Sequence, residues 1–475
     1  MKQTVVFLLL LSTCMSCHSQ DFSGDWSGSA DVMGNKLRAV FHIKKESAGY
    51  TATFDSPDQG AFGLPTSKVT AKEDSLIIDM PLLGATYYGK LNSQQQIEGA
   101  LVQRATPFKL TLEKKALAQA APEIKPQTPK PPFDYIIEEV GYENNTQHLH
   151  LGGTLTKPKG NGKFPAVILI TGSGQQDRDE TIGTHKPFWV IADYLTKAGI
   201  AVLRVDDRGV GKTTGTAKNA TSADFATDVM AGIAYLKTRP DIDVRHIGLI
   251  GHSEGGMIAP YVAARSKDVA FIITLAGPIV GGTKTMQYQA VFKPMKLNGI
   301  KDEYAMAYNK LYTALLNTLT TADSTQKTQD IVKKIYYEWK PKQTPDALQV
   351  LVHGTDEEAV TGMTQGFEVM RLPWFRFFIQ YDPAKDVERL QIPVLVLNGE
   401  KDIQVDPKTN LQLADSLLKA NGNRHYKVYE VPGVNHLFQH CTKCNTGIPE
   451  YLQLEETFDP ATLSMMSDWI KNITK

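Results

Sequence analysis

The stretch His246-Ile247-Gly248-Leu249-Ile250-Gly251-His252-Ser253-Glu254-Gly255-Gly256-Met257 decides how the chain is read. Its first half, His246 to Ile250, is a short apolar run of the kind that forms a strand buried on both faces of a parallel sheet. From Met257 to Ala264 the apolar residues return at spacings near three and four, which is a helical pattern. Ser253 therefore falls on a tight strand-to-helix turn. Glycines are needed there because the turn is strained and the helix must pack closely, and the hydroxyl then stands exposed above the sheet. G-x-S-x-G alone is a common pattern, and a serine there can simply cap a helix. The strand before it and the helix after it are what mark Ser253 as a nucleophile.

A serine hydroxyl needs a base to take its proton and a carboxylate to orient that base. The strand-like run Pro393 to Asn398 is followed by Gly399-Glu400-Lys401-Asp402, which places Asp402 on a loop just past a strand's carboxyl end. The run His425 to Val431 is followed by Pro432-Gly433-Val434-Asn435-His436, which places His436 on the next such loop. Asp402 is the expected acid, with Glu400 and Asp406 as rivals, and His436 is the expected base, with His440 as its rival. His252 is assigned a structural part. An acyl-transfer site also needs donors for an oxyanion. The backbone N–H of Glu254 follows the nucleophile directly, and a second donor is expected from Gly172-Ser173-Gly174 after the run Ala166 to Thr171, with Ser173 first and Gly174 next.

Working outward, strand-like runs at Ala166 to Thr171, Ala201 to Val205, His246 to Ile250, Ala270 to Leu275 and Pro393 to Asn398 alternate with helical patterns at Phe188 to Lys197, Ala223 to Lys237 and Met257 to Ala264. A closing helix is capped by Asp459 with Pro460 at its first position. This is an α/β, doubly wound sheet over residues 134–475. The alternation stops over about residues 281–386, where long helical patterns such as Asp302 to Leu319 and Thr325 to Trp339 predict a helical cap. Ahead of the sheet, residues 21–115 carry short apolar runs broken by turn residues, with Leu37, Ala39, Phe41 and Ile43 alternating, and read as a small all-β N-terminal domain. Residues 116–133 are rich in proline and read as an extended linker.

Lysine plus arginine and aspartate plus glutamate both number 51, with no run of either sign, so neither nucleic acid nor an anionic membrane is an expected partner. Lys2, the apolar run Val5 to Leu11 and the small residues after it have the layout of a secretory signal peptide over residues 1–19. Export follows, to the periplasm or the outside, with membrane attachment only if Cys14 or Cys17 carries a lipid. Cys441 and Cys444 are then expected as a local disulfide or as free thiols rather than as half of a zinc site. The run Asp206-Asp207-Arg208-Gly209-Val210-Gly211-Lys212-Thr213 ends like a phosphate loop but has aspartate where the leading glycine belongs. The aromatic group Trp374, Phe375, Phe377 and Phe378 either lines an acyl pocket or forms the cap's own core.

Taken together, Thr171-Gly172-Ser173-Gly174, Asp177-Arg178-Asp179, Asp206-Asp207-Arg208-Gly209, the Ser253 turn, Gly399-Glu400-Lys401-Asp402 and Asn435-His436 resemble the EstD-like carboxylesterase group of the α/β-hydrolase superfamily, related to serine aminopeptidases and acyl-CoA thioesterases. The resemblance covers roughly residues 135–475. It implies an α/β-hydrolase fold and hydrolysis of small-molecule carboxylic esters with short acyl chains, without metal or cofactor, and it matches Ser253, Asp402 and His436 to the family's triad. The cysteine pair is a departure from the group. A peptidase using Glu357 or Glu358 for a peptide end, and a glycan-binding protein with an inactive hydrolase domain, are the alternatives. Homo-oligomerisation is left open.

Overall fold

The computed structural model describes residues 21–475 except 33–34, 48, 58–60, 81–82, 104–105, 115–123, 353 and 446, so the signal peptide, Cys14 and Cys17 lie outside the described residues. The described residues fall into two compact units, one up to residue 114 and one from residue 124 on.

The larger unit is built on a sheet of eight strands: β1 (Tyr135–Asn144), β2 (Leu149–Pro158), β3 (Phe164–Ile170), β4 (Ala201–Val205), β5 (Ile242–His252), β6 (Phe271–Leu275), β7 (Val394–Gly399) and β8 (Tyr426–Val431). Their order across the sheet is β1-β2-β4-β3-β5-β6-β7-β8. The pairings of β1 with β2 and of β2 with β4 are antiparallel, and the rest are parallel. Alternation along β3 shows how both faces are covered. Ala166, Ile168 and Ile170 join the core under helices α2 (Ser222–Thr238) and α3 (Glu254–Ala263), whereas Val167 and Leu169 join the core under α1 (Pro187–Lys197) and the closing helix. β1 and β2 are absent from the sequence reading for a physical reason. Most of β1 is half-buried or exposed, so it shows none of the continuous apolar run that marks the central strands.

Between β6 and β7 the chain leaves the sheet and forms the helical cap. Its main helices are α4 (Asp302–Thr321), α5 (Thr328–Trp339), α6 (Asp356–Phe367) and α7 (Pro373–Gln380). They enclose a core of their own, including Leu311, Leu315, Leu316, Val332, Tyr336 and Phe367. After β7 come α8 (Pro407–Ala420) and, at the end, α9 (Pro460–Ile473). Asp459 accepts hydrogen bonds from the Ala461 and Thr462 amides, and Pro460 sits where no amide hydrogen is needed. Part of the proline-rich segment is docked rather than free. The Lys125 ammonium donates to the Leu452 carbonyl, and the Gln127 amide donates to the Phe458 carbonyl, which satisfies backbone groups ahead of α9.

The smaller unit is antiparallel. Eight strands close into a barrel through the pairing of Asn35–Glu46 with Gly49–Ser56, and Ala61–Pro65 pairs beside Gly49–Ser56. Trp26, Phe41, Leu76, Ile78, Tyr87 and Ile97 are fully buried and belong to one core that fills the barrel.

Candidate active site

Ser253 lies between β5 and α3 with φ 51° and ψ −115°, a conformation that costs an L-residue energy and that neighbouring contacts must enforce. The Ser253 amide donates to the Leu275 carbonyl at 2.8 Å, which ties the turn to β6. The glycines after it are demanded by the backbone around them. A Cβ on Gly255 would stand 2.1 Å from the Ile170 carbonyl oxygen, and one on Gly256 would stand 2.7 Å from the Gly277 Cα. The helix can start this close to β3 and β6 only without side chains.

Asp402 and His436 are brought together from two successive strand ends. Asp402 is fully buried, and its Oδ2 lies 2.8 Å from His436 Nδ1. The same oxygen accepts from the Asn398 amide at 3.0 Å, and Oδ1 accepts from the Gln404 and Val405 amides at 2.7 and 3.0 Å. Four donors thus surround an acceptor-only group, which suits a carboxylate and leaves His436 Nε2 as the ring's free basic position. The His436 loop is shaped by Asn435, whose side-chain oxygen accepts from the Leu437 and Gln439 amides. The rival residues are engaged elsewhere: Glu400 accepts from the Gly433 amide, Asp406 from the Thr409 hydroxyl, and His440 pairs with Glu456. Among the described residues no hydrogen bond joins Ser253 to His436, and His252, the residue before the serine, stands beside the His436 ring. The His252 ring lies 4.9 Å from the His436 ring.

The loop Thr171 to Gln176 runs beside the turn. A Cβ on Gly172 would touch the Ser253 Cβ at 3.3 Å, so this loop borders the serine. The Gly172 amide is already taken, donating to Glu180 Oε1 at 2.7 Å. Ser173 is thus the first residue of the loop without that commitment, and Gly174 follows with φ 102°, a left-handed conformation suited to glycine. Glu254 is the first residue of α3, where an amide has no partner within the helix and the helix dipole favours negative charge.

Several participants escaped sequence reading. Asp207 staples the loop, its carboxyl accepting from the Thr171 hydroxyl and the Gln176 amide, each at 2.8 Å. Burial pushes the Asp207 carboxyl up to about 8, helped by the nearby Glu254 and Glu180. It lines a cavity of about 60 Å³ behind the loop, together with Gly172, Gly174, Phe225, Glu254 and Ile258. Glu180 is buried with a φ of 51° and bonds both Gly172 and His252. The signal for both was their place in acidic clusters beside the glycine loops. Asp206 explains why the phosphate-loop likeness is only local: it pairs with Arg178 and accepts the Lys212 amide, so the turn folds around its own carboxylate.

From the cap, the Trp374 indole donates to Glu254 Oε1 at 2.7 Å and its ring stacks on Phe378. The Ser222 hydroxyl donates to the same oxygen. Within the aromatic group, Phe375 packs against the cap's core, Phe378 is buried, and Trp374 reaches the residue after Ser253. Glu358, considered for a peptide end, is spent in a capping box with Thr355. Cys441 and Cys444 form a disulfide.

The chain belongs to the alpha/beta hydrolase fold family, whose pattern matches residues 165–440. Among its relatives is the esterase EstD of Thermotoga maritima, 29% identical over 304 residues, an alignment covering 64% of this chain and 62% of that esterase. A non-heme haloperoxidase of Rhodococcus erythropolis is 24% identical over 245 residues, covering 51% of this chain and 78% of the relative. Among solved structures, the Pyrococcus furiosus esterase Pf2001 aligns with 17% identity and a TM-score of 0.40, over 72% of this chain and 92% of that one.

Proposed function

We propose that this protein is a serine carboxylesterase that cleaves short-chain acyl esters through an acyl-enzyme on Ser253. The observation that carries the reading is the fully buried Asp402 bonded to His436 Nδ1 beside a strained serine at a helix start. The identity to the Thermotoga maritima esterase supports it.

His436 Nε2 takes the Ser253 proton as Oγ attacks the ester carbonyl, and Asp402 stabilises the resulting imidazolium. The oxyanion is received by the amides of Glu254 and of Ser173, with Gly174 as the next candidate. His436 then gives the proton to the departing alcohol. Water, deprotonated by the same nitrogen, releases the acid and restores Ser253. The chemistry uses no metal or cofactor. Export is part of the proposal, supported by the layout of residues 1–19 and by the Cys441–Cys444 disulfide, a bond typical of oxidising compartments.

Turnover of aryl esters of increasing acyl length, beside aminoacyl amides, tests the reading. The highest kcat/KM is expected with the shortest acyl groups and Ser253→Ala is expected to abolish it. Amide cleavage rivalling ester cleavage would instead identify a peptidase.

A further inference from the structure

His252, directly before the serine, is 5% exposed, and with Glu180 it sits among Pro187, Phe188, Leu275, Leu437 and Phe458. Its Nε2 lies 3.0 Å from the His436 backbone carbonyl oxygen, and its Nδ1 lies 2.9 Å from Glu180 Oε1. A carbonyl oxygen can only accept, so Nε2 carries a hydrogen. Glu180 Oε1 is already an acceptor, receiving the Gly172 amide at 2.7 Å, so Nδ1 faces an accepting oxygen and carries a hydrogen as well. A histidine with both ring nitrogens protonated is a cation. The groups facing it are Glu180, the His436 ring and, farther away, Asp402. Burial opposes the charge, but the two carboxylates and the His436 carbonyl outweigh it and hold His252 above the ordinary imidazole range.

Apolar surroundings make a buried ion pair expensive, because both charges leave water. What this pair provides is placement. At one end Glu180 fixes the amide of Gly172, whose loop carries Ser173 and Gly174. At the other, His252 fixes the backbone of His436. The serine is the next residue along the chain from His252. We infer that Glu180 and His252 form a buried, charged pair that locks the oxyanion loop, the serine turn and the His436 loop into one register, which makes His252 a positioning residue for acyl transfer. The catalytic half of this inference rests on the esterase reading; the charged pair itself does not.

The two halves have separate readouts. Full-length protein labelled with ¹⁵N-histidine is to be observed at pH 8. A ring with both nitrogens protonated is expected, disappearing in His252→Gln and becoming neutral in Glu180→Gln. His42, whose ring nitrogens face the Asp25 and Asp55 carboxylates, is another described histidine with an oxygen acceptor at both positions, and His42→Gln removes its signal. A neutral His252 ring at pH 8 overturns the pair, whether or not esters are cleaved. On a short aryl ester, His252→Gln keeps a donor toward the His436 carbonyl and His252→Leu keeps none. The expected order of kcat is wild type, then His252→Gln, then His252→Leu, with the last down on the order of a hundredfold and KM within about twofold. Wild-type kcat in folded His252→Leu overturns the positioning role. If wild type cleaves no ester, the esterase reading fails while the spectrum still decides the pair.

Discussion

Replacing Asp402 by asparagine preserves shape and inverts one contact. Oδ1 faces two backbone amides, from Gln404 and Val405, and neither can turn around. The asparagine oxygen must therefore take that side, which aims its NH₂ at His436 Nδ1 and at the Asn398 amide. Asn398 can flip to accept. His436 can comply only by giving up its Nδ1 hydrogen and carrying the proton on Nε2, the nitrogen needed as the base. The ring is then held in the wrong tautomer without being displaced. Loss of a correctly oriented base of this kind costs about 10⁴-fold in kcat, or about 5 kcal/mol at 1.36 kcal/mol per factor of ten. The assay is steady-state hydrolysis of a short aryl ester by Asp402→Asn beside wild type, with thermal unfolding as the control for folding. A kcat within tenfold of wild type in a folded variant would refute the assignment of Asp402 as the group that orients His436.

Other parts of the site make their own predictions. Asp207 keeps its proton up to about 8 when folded, whereas an unfolded aspartate loses it near 3.9. The folded state therefore binds more protons between those values, and stability falls as pH rises through that window, levelling off above about 8. Asp207→Asn, with its oxygen toward the Gln176 amide and its NH₂ toward the Thr171 hydroxyl, should flatten the fall in Tm between pH 5 and 8; an unchanged slope counts against a buried protonated carboxyl. Trp374→Phe leaves the Glu254 carboxyl with the Ser222 hydroxyl only, and chemical denaturation should show a loss of about 1 kcal/mol, the usual net worth of one hydrogen bond. Gly255→Ala forces a methyl group onto the Ile170 carbonyl oxygen and should yield little folded protein, as read by circular dichroism.

Much of this architecture was legible because the central strands are buried on both faces. Runs such as Val167 to Ile170 and Leu395 to Leu397 can hardly be anything else, and they place Ser253, Asp402 and His436 at strand ends in chain order. The largely exposed β1 carries a weak signal, and β2, whose buried middle is Leu151-Gly152-Gly153-Thr154-Leu155-Thr156 rather than an apolar run, carries little more, so neither was found. Nor were the buried acids. Nothing in the spacing of Glu180 or Asp207 says that their carboxyls turn inward, because that depends on loop backbone: the left-handed φ of Glu180 and the path of the chain from Thr171 to Gln176. His252 is the instructive case. Its position within the turn suggested a structural part, and only the acceptors at both ring nitrogens show that this part includes a charge.

The most direct test of the account is covalent. Wild-type protein treated with a fluorophosphonate and measured by intact mass should gain one adduct, and peptide mapping should place it on Ser253, with none on Ser253→Ala. A wild-type protein that takes no adduct, or a Ser253→Ala variant that is labelled equally well, would contradict the claim that Ser253 is an activated nucleophile.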